Sequence, residues 1–211
     1  MNGKRVFAGF FGTIIAIVEI GLLSGCATDK NSLALTQIAM SDKQKGWALT
    51  AENELLHTTS GIENFTCVKT FEKTLPVSEG EISLCAVDEN TAYTAYFSMD
   101  GENILVEYTT DAGENWEHTA VSYASYGGAY KAYLSFTDRE RGYLLYCSDP
   151  GAGMMTKILF STEDGGETWT PQQELECDGA LSYDFFSEND GYLIDETGCL
   201  LPLKASAGTT R

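Results

Sequence analysis

The sequence predicts an all-β protein, a β-propeller of about four four-stranded antiparallel blades with the last blade incomplete. Three observations carry that expectation. An eight-residue motif, Thr-x-Asp-x-Gly-x-(Asn/Thr)-Trp, occurs over Thr109–Trp116 and again over Thr162–Trp169, with a worn copy over Thr58–Phe65. Its aromatic ends, Phe65, Trp116 and Trp169, lie 51 and 53 residues apart. A second marker, a polar turn followed by a small residue and an aromatic, ends at Trp47, Tyr93, Tyr143 and Tyr192, in steps of 46, 50 and 49 residues. A period near 50 with short apolar runs between the copies is the pattern of a radial β-repeat.

The runs divide by alternation into hairpins. The first unit offers strands over 35–40, 46–50, 54–59 and 65–71, and the second over 82–87, 92–97, 104–110 and 116–121. The third offers 131–136, 142–147, 156–161 and 169–173, and the fourth 181–186, 191–194 and 199–203. The repeats thus cover 33–203, as units of about 33–76, 77–125, 126–176 and 177–203, with an irregular tail over 204–211. Where a fourth copy of the motif is due the pattern breaks at Pro202. That break favours a truncated larger propeller over a four-bladed ring in which residues 32–37 supply the missing strand, since an open arc leaves strand edges unpaired.

Residues 1–25 read as an export signal. Lys4 and Arg5 precede a largely apolar run over 6–23, and Leu23-Ser24-Gly25-Cys26 follows. These four residues resemble the lipobox of bacterial lipoproteins, which implies cleavage before Cys26, lipid on its thiol, an extracytoplasmic location on the membrane surface, and a short tether over 26–32. A membrane-spanning reading is weaker, because Glu19 at the bilayer centre would cost roughly 2.5–3.5 kcal/mol.

Removing residues 1–25 takes out Lys4, Arg5 and Glu19 and leaves 30 acidic and 11 basic side chains, net −19. Such a surface repels phosphate backbones, so nucleic acid is excluded as a partner. Beyond Cys26 the chain has Cys67, Cys85, Cys147, Cys177 and Cys199, an odd number with no pair at metal-type spacing. At least one thiol is expected free, and packing within strands is the expected role of most.

With motif and four-strand unit both in place, the chain resembles the BNR/Asp-box repeat proteins, whose blades occur in sialidases, sortilin-type receptors and photosystem II stability/assembly-factor-like lipoproteins. The turn–small–aromatic marker is most similar to the last of these. The resemblance implies a peripheral structural hairpin. Asp111 and Asp164 accept N–H bonds inside the turn, as Asp does in Asx-turns. Thr109, Thr162 and Thr168 belong to the same box, Gly113 and Gly166 permit positive φ, and Trp116 and Trp169 bury flat area between blades.

A sialidase would need three converging arginines, and apart from Arg5 the chain has only Arg139, Arg141 and Arg211. The histidines, His57 and His118, lie in different units, and neither a nucleophile set nor a metal set stands beside them. No catalytic residue, metal or cofactor is therefore expected. The expected function is a lipid-anchored binding or assembly scaffold for protein or glycan. The alternative is a glycan-active hydrolase using paired carboxylates, which composition alone does not exclude. Contact is expected at loops between blades: foremost 122–130, with Tyr123, Tyr126 and Tyr130 among glycines and serines, then 148–155, with Met154 and Met155, and 73–81.

Overall fold

The computed structural model describes residues 16–17, 34–61, 64–71, 82–149, 155–177, 179–185 and 190–204. Four antiparallel sheets follow one another along the chain. The first contains β1 (Ala16–Ile17), β2 (Ala34–Met40), β3 (Gly46–Thr50), β4 (Glu54–Thr58) and β5 (Thr66–Thr70) in that order. The second is β6 (Ser83–Ala86), β7 (Ala92–Phe97), β8 (Asn103–Thr109) and β9 (Glu117–Ser122). The third is β10 (Ala129–Phe136), β11 (Gly142–Ser148), β12 (Met155–Thr162) and β13 (Thr170–Cys177), and the fourth β14 (Ala180–Phe185), β15 (Asp190–Asp195) and β16 (Leu200–Lys204). Every sheet is a meander, so neighbours in sequence are neighbours in space.

Each sheet packs on the next, and the seams are built from opposite faces of alternating strands. Trp47, Leu49 and Leu55 of the first sheet meet Ile82 and Ala92 of the second. Tyr93, Ala95, Phe97, Ile104 and Val106 of the second meet Leu134, Leu144, Tyr146 and Phe160 of the third. Tyr143, Leu145 and Leu159 of the third meet Tyr183, Phe185, Leu193 and Leu203 of the fourth. Burial of side chains this size contributes about 1.5–3 kcal/mol each, which makes the seams the core of the molecule.

The innermost strands are joined by side chains in place of backbone ladders. The Gln37 amide accepts from Leu84 N at 2.9 Å and donates to Ile82 O. Ser83 Oγ accepts from Leu134 N at 3.0 Å, and Cys85 Sγ accepts from Phe136 N at 3.3 Å. Inner-edge N–H groups that a sheet would otherwise leave open are satisfied across the seam.

Three expectations need correction. Residues 34–37 pair with β3 as part of the first sheet (Gln37 opposite Leu49), so this segment does not complete the fourth. Trp116 and Trp169 stand one residue ahead of β9 and β13 instead of opening them. Met155, expected exposed in a loop, is buried at the start of β12. Cys26, the tether over 26–32, the loop over 73–81, Met154 and the tail beyond Lys204 lie outside the described residues; of the apolar N-terminal run only Ala16–Ile17 is described, paired with Ala34 and Leu35.

Candidate binding faces

The turns fall at two ends of the sheets. One end carries the polar marker turns between first and second strands and the motif turns between third and fourth. In the marker turns Asp42, Asp88 and Asp138 each accept two backbone N–H groups at 2.7–2.9 Å, from Gln44 and Lys45, Asn90 and Thr91, and Glu140 and Arg141. The aromatic that follows reaches the next sheet's turn: Trp47 Nε1 donates to Asp88 O at 3.1 Å and Tyr93 Oη to Arg139 O at 3.1 Å. Ion pairs run the same way, Lys45–Glu89 and Arg139–Asp88, both at 2.7 Å.

The motif turns repeat bond for bond. Thr109 Oγ1 donates to Asp111 Oδ1 (2.9 Å) and accepts from Gly113 N (3.0 Å), while Asp111 accepts from Asn115 N (2.9 Å) and Nδ2 (2.7 Å). In the second copy Thr162 Oγ1 donates to Asp164 (2.7 Å) and accepts from Gly166 N (2.9 Å), and Asp164 accepts from Thr168 N (2.9 Å) and Oγ1 (2.6 Å). Trp116 and Trp169 close each turn by donating to Gly113 O (3.2 Å) and Gly166 O (3.1 Å). The fourth motif position ties each turn to the marker turn of its own sheet: Gly61 N to Gln44 O, Ala112 N to Asn90 O, Gly165 N to Glu140 O, at 2.7–2.9 Å. The worn copy keeps this bond, because Gly61 at φ 94° supplies the positive φ that Ala112 (62°) and Gly165 (74°) adopt.

These bonds set the electrostatics. The Asn115 side-chain amide, its N–H and the Thr109 hydroxyl hold the Asp111 carboxyl below its ordinary 3.8. Burial works against Asp164, but the Thr168 hydroxyl and N–H outweigh it and lower that group too. Asp42, lowered chiefly by Gln44 N–H, Asp100, by the Ser98 hydroxyl, and Asp195, by the Thr197 hydroxyl, follow the same logic. At Asp88 burial is again overcome, by Asn90 N–H and Arg139.

The opposite end carries the connectors between sheets and the turns between second and third strands. The three tyrosines expected to make contact do not converge there. Tyr123 is buried in the seam of the second and third sheets, stacked on Tyr146 (5.1 Å between ring centres) and edge-on to Phe97 (5.2 Å). Tyr130 packs instead against the seam of the third and fourth sheets. Tyr126, half-buried like Tyr130, stands over a groove of about 180 Å³ lined by Ile158, Pro171, Gln172, Gln173 and Glu174. Burial, and after it the charges of exposed Asp100, Asp149 and Glu102 at the same end, push the Tyr123 hydroxyl up.

Lys157, which composition did not single out, is fully buried on β12, and its charge helps hold Asp195 ionised across the last seam. A single lysine in an alternating strand gives no sequence signal of that kind. Buried His57 packs tilted against Trp47 (4.4 Å between ring centres) and bonds Glu89 O through Nε2 (2.8 Å), whereas His118 is exposed on β9. Arg139 and Arg141 occupy one marker turn, Arg141 pairing with Asp138 at 3.5 Å. Among the described residues no three His, Cys, Asp or Glu side chains group as metal ligands.

No family model and no curated protein matches the sequence. Among solved structures the chain is similar to YCF48 from Cyanidioschyzon merolae, with a TM-score of 0.54 and 16% identity over 81% of this chain and 51% of that one. YCF48 bound to D1 peptide aligns with a TM-score of 0.44 and 11% identity, over 81% of this chain and 63% of that one. The WD40 domain of SCAP from fission yeast aligns at 0.45 and 11%, over 84% and 40%. The first match, with the four sheets, shows the fold to be a β-propeller; this chain spans about half the length of that structure.

Proposed function

We propose that this chain is an exported, lipid-anchored binding or assembly scaffold of the Asp-box propeller type, held to a membrane through Cys26 and contacting a protein or glycan at the connector end. The observation that carries the scaffold reading is the bonding of the turn carboxylates, which are engaged inside their own hairpins. A glycosidase needs one carboxyl raised so that it is protonated near neutrality. Asp42, Asp88, Asp100, Asp111, Asp164 and Asp195 all move downward, each engaged by donors of its own turn. Their work is to hold hairpins.

The anchor rests on the basic, apolar and Leu-Ser-Gly-Cys succession over residues 4–26. Partner contact is assigned to the connector end because half-buried Tyr126 stands there over a groove of about 180 Å³, whereas the turns of the marker end are tied to one another within and between sheets. Two measurements on the expressed chain test the proposal. Labelled palmitate is expected to enter the native chain and not Cys26→Ala. A panel of glycosides is expected to show no turnover; turnover abolished by a single carboxylate substitution overturns the scaffold reading.

A further inference from the structure

Three positions recur in every sheet by strand register. The marker aromatic is Trp47, Tyr93, Tyr143 or Tyr192; two residues on stand Leu49, Ala95, Leu145 or Ile194; opposite those on the third strand stand Leu55, Val106, Leu159 or Leu200. In the first three sheets all nine are at most 2% exposed. In the fourth, Tyr192, Ile194 and Leu200 are 46%, 41% and 58% exposed. At the other end of the arc, Ile38 is 53% exposed, while Leu134 and Tyr183, at the same place in the third and fourth sheets, are 6% exposed. The face that each of the first three sheets lays on its successor is open in the fourth sheet, and on the strand equivalent to the one that receives it, β2 of the first sheet, Ile38 is open.

The two open surfaces match in detail. Ser182 and Asp184 stand where Ser83 and Cys85 accept the amides of Leu134 and Phe136, and the corresponding amides of a first sheet are those of Ile38 and Met40. The charges are complementary as well. Between the first two sheets Lys45 pairs with Glu89. Asp190, which also pairs with Lys204 of its own sheet, occupies the place of Lys45 in the fourth sheet, and Lys43 the place of Glu89 in the first, so the signs at the two places are exchanged. Ala48 and Leu56 beside Ile38 are already buried, so the contact centres on the inner strand and the 41–45 turn.

We infer that the fourth sheet of one chain docks on the first sheet of a second copy, and that two chains close head to tail into a ring of about eight sheets, within the range propellers adopt. A two-fold operator makes both seams at once and leaves neither surface open. The inference is independent of the ligand and of the lipid anchor.

The test uses the full chain, extracted in mild detergent to accommodate its apolar N-terminus. Sedimentation is expected to show a dimer. Ile38→Asp and Leu200→Asp, both at exposed positions, are each expected to weaken it by ~10-fold or more. Their 1:1 mixture dimerises more tightly than either variant alone, because one seam of the mixed pair is intact. A short bis-maleimide on Lys43→Cys/Asp190→Cys, in a background where exposed Cys67 and Cys199 are changed to Ser, is expected to give a cross-linked dimer that neither single added cysteine gives. A monomer up to ~100 μM overturns the inference and leaves a different chain to cover the Tyr192 face. A dimer insensitive to Ile38→Asp overturns it in favour of fourth sheets paired with each other. A ladder of higher species overturns ring closure.

Discussion

The Tyr93 hydroxyl crosses the seam between the second and third sheets to donate to Arg139 O at 3.1 Å, while its ring stacks on Phe136 at 3.6 Å. One sheet earlier Trp47 does the same with Asp88 O. The marker aromatic is therefore a bolt between sheets, apolar along its body and polar at its tip. Burial raises the Tyr93 hydroxyl to about 12, so it stays a donor through the physiological range.

Tyr93→Phe keeps the stacking and removes the donor. It is expected to destabilise by about 1 kcal/mol, read as a lower urea midpoint with an unchanged slope. Tyr93→Ala, which also empties the seam, is expected to cost about 3–5 kcal/mol. Equal losses from both variants would show that the hydrogen bond, and not the packing, holds this seam.

Gly113 separates two costs that glycine hides. Its φ is +90°, and a Cβ there would lie 2.9 Å from Val68 Cβ on the outer strand of the preceding sheet. Gly101 has φ +71° and open space around it. Gly101→Ala is expected to cost about 1–2 kcal/mol from conformation alone, and Gly113→Ala about 1–3 kcal/mol more from overpacking. Val68→Ala in the Gly113→Ala background should recover part of the second term and none of the first, as thermal unfolding would show.

Much of this arrangement is legible in the residue pattern alone. The spacing of Trp47, Tyr93, Tyr143 and Tyr192 and the alternation around them place the strands to within a few residues, because one buried face per strand enforces period two. The contact surface is not legible in the same way. The run Tyr123–Tyr130 has the composition of an adaptable loop, yet Tyr123 is drawn into the seam by Phe97 and Tyr146, partners more than 20 residues away that a local reading cannot weigh. Met155 is a similar case, since it opens β12 opposite Cys177 of β13, a partner 22 residues on. The open faces at the two ends become visible only when equivalent positions are compared across sheets.

Acid should unfold the protein within a narrow window. The turn carboxylates have folded values below the ordinary 3.8, so their contribution is present above that value and is lost as pH falls through the lowered ones. Against this, a net charge of −18 means that partial protonation first relieves repulsion. The urea midpoint is expected to hold or rise from pH 7 to about 5 and to fall below about 4. Asp164→Asn should lower the midpoint at pH 7 and shrink the acid-induced fall; an undiminished fall would assign acid sensitivity to other groups.

The thiols offer a reading of seam opening. Cys85 accepts from Phe136 N between the second and third sheets, and burial pushes its thiol from the ordinary 9.0 up to about 11. Cys67 and Cys199 are exposed. Alkylation proceeds through the thiolate, so at pH 8 the raised value alone slows Cys85 by about 100-fold relative to a thiol at 9.0. Occlusion by the seam adds to that protection. Iodoacetamide followed by peptide mapping should mark Cys67 and Cys199 in the native protein and reach Cys85 only as the seam opens. In Tyr93→Ala, Cys85 should be modified faster while Cys147, buried in the seam of the third and fourth sheets, keeps its rate. Parallel acceleration of both would mean that the sheets open together as one unit.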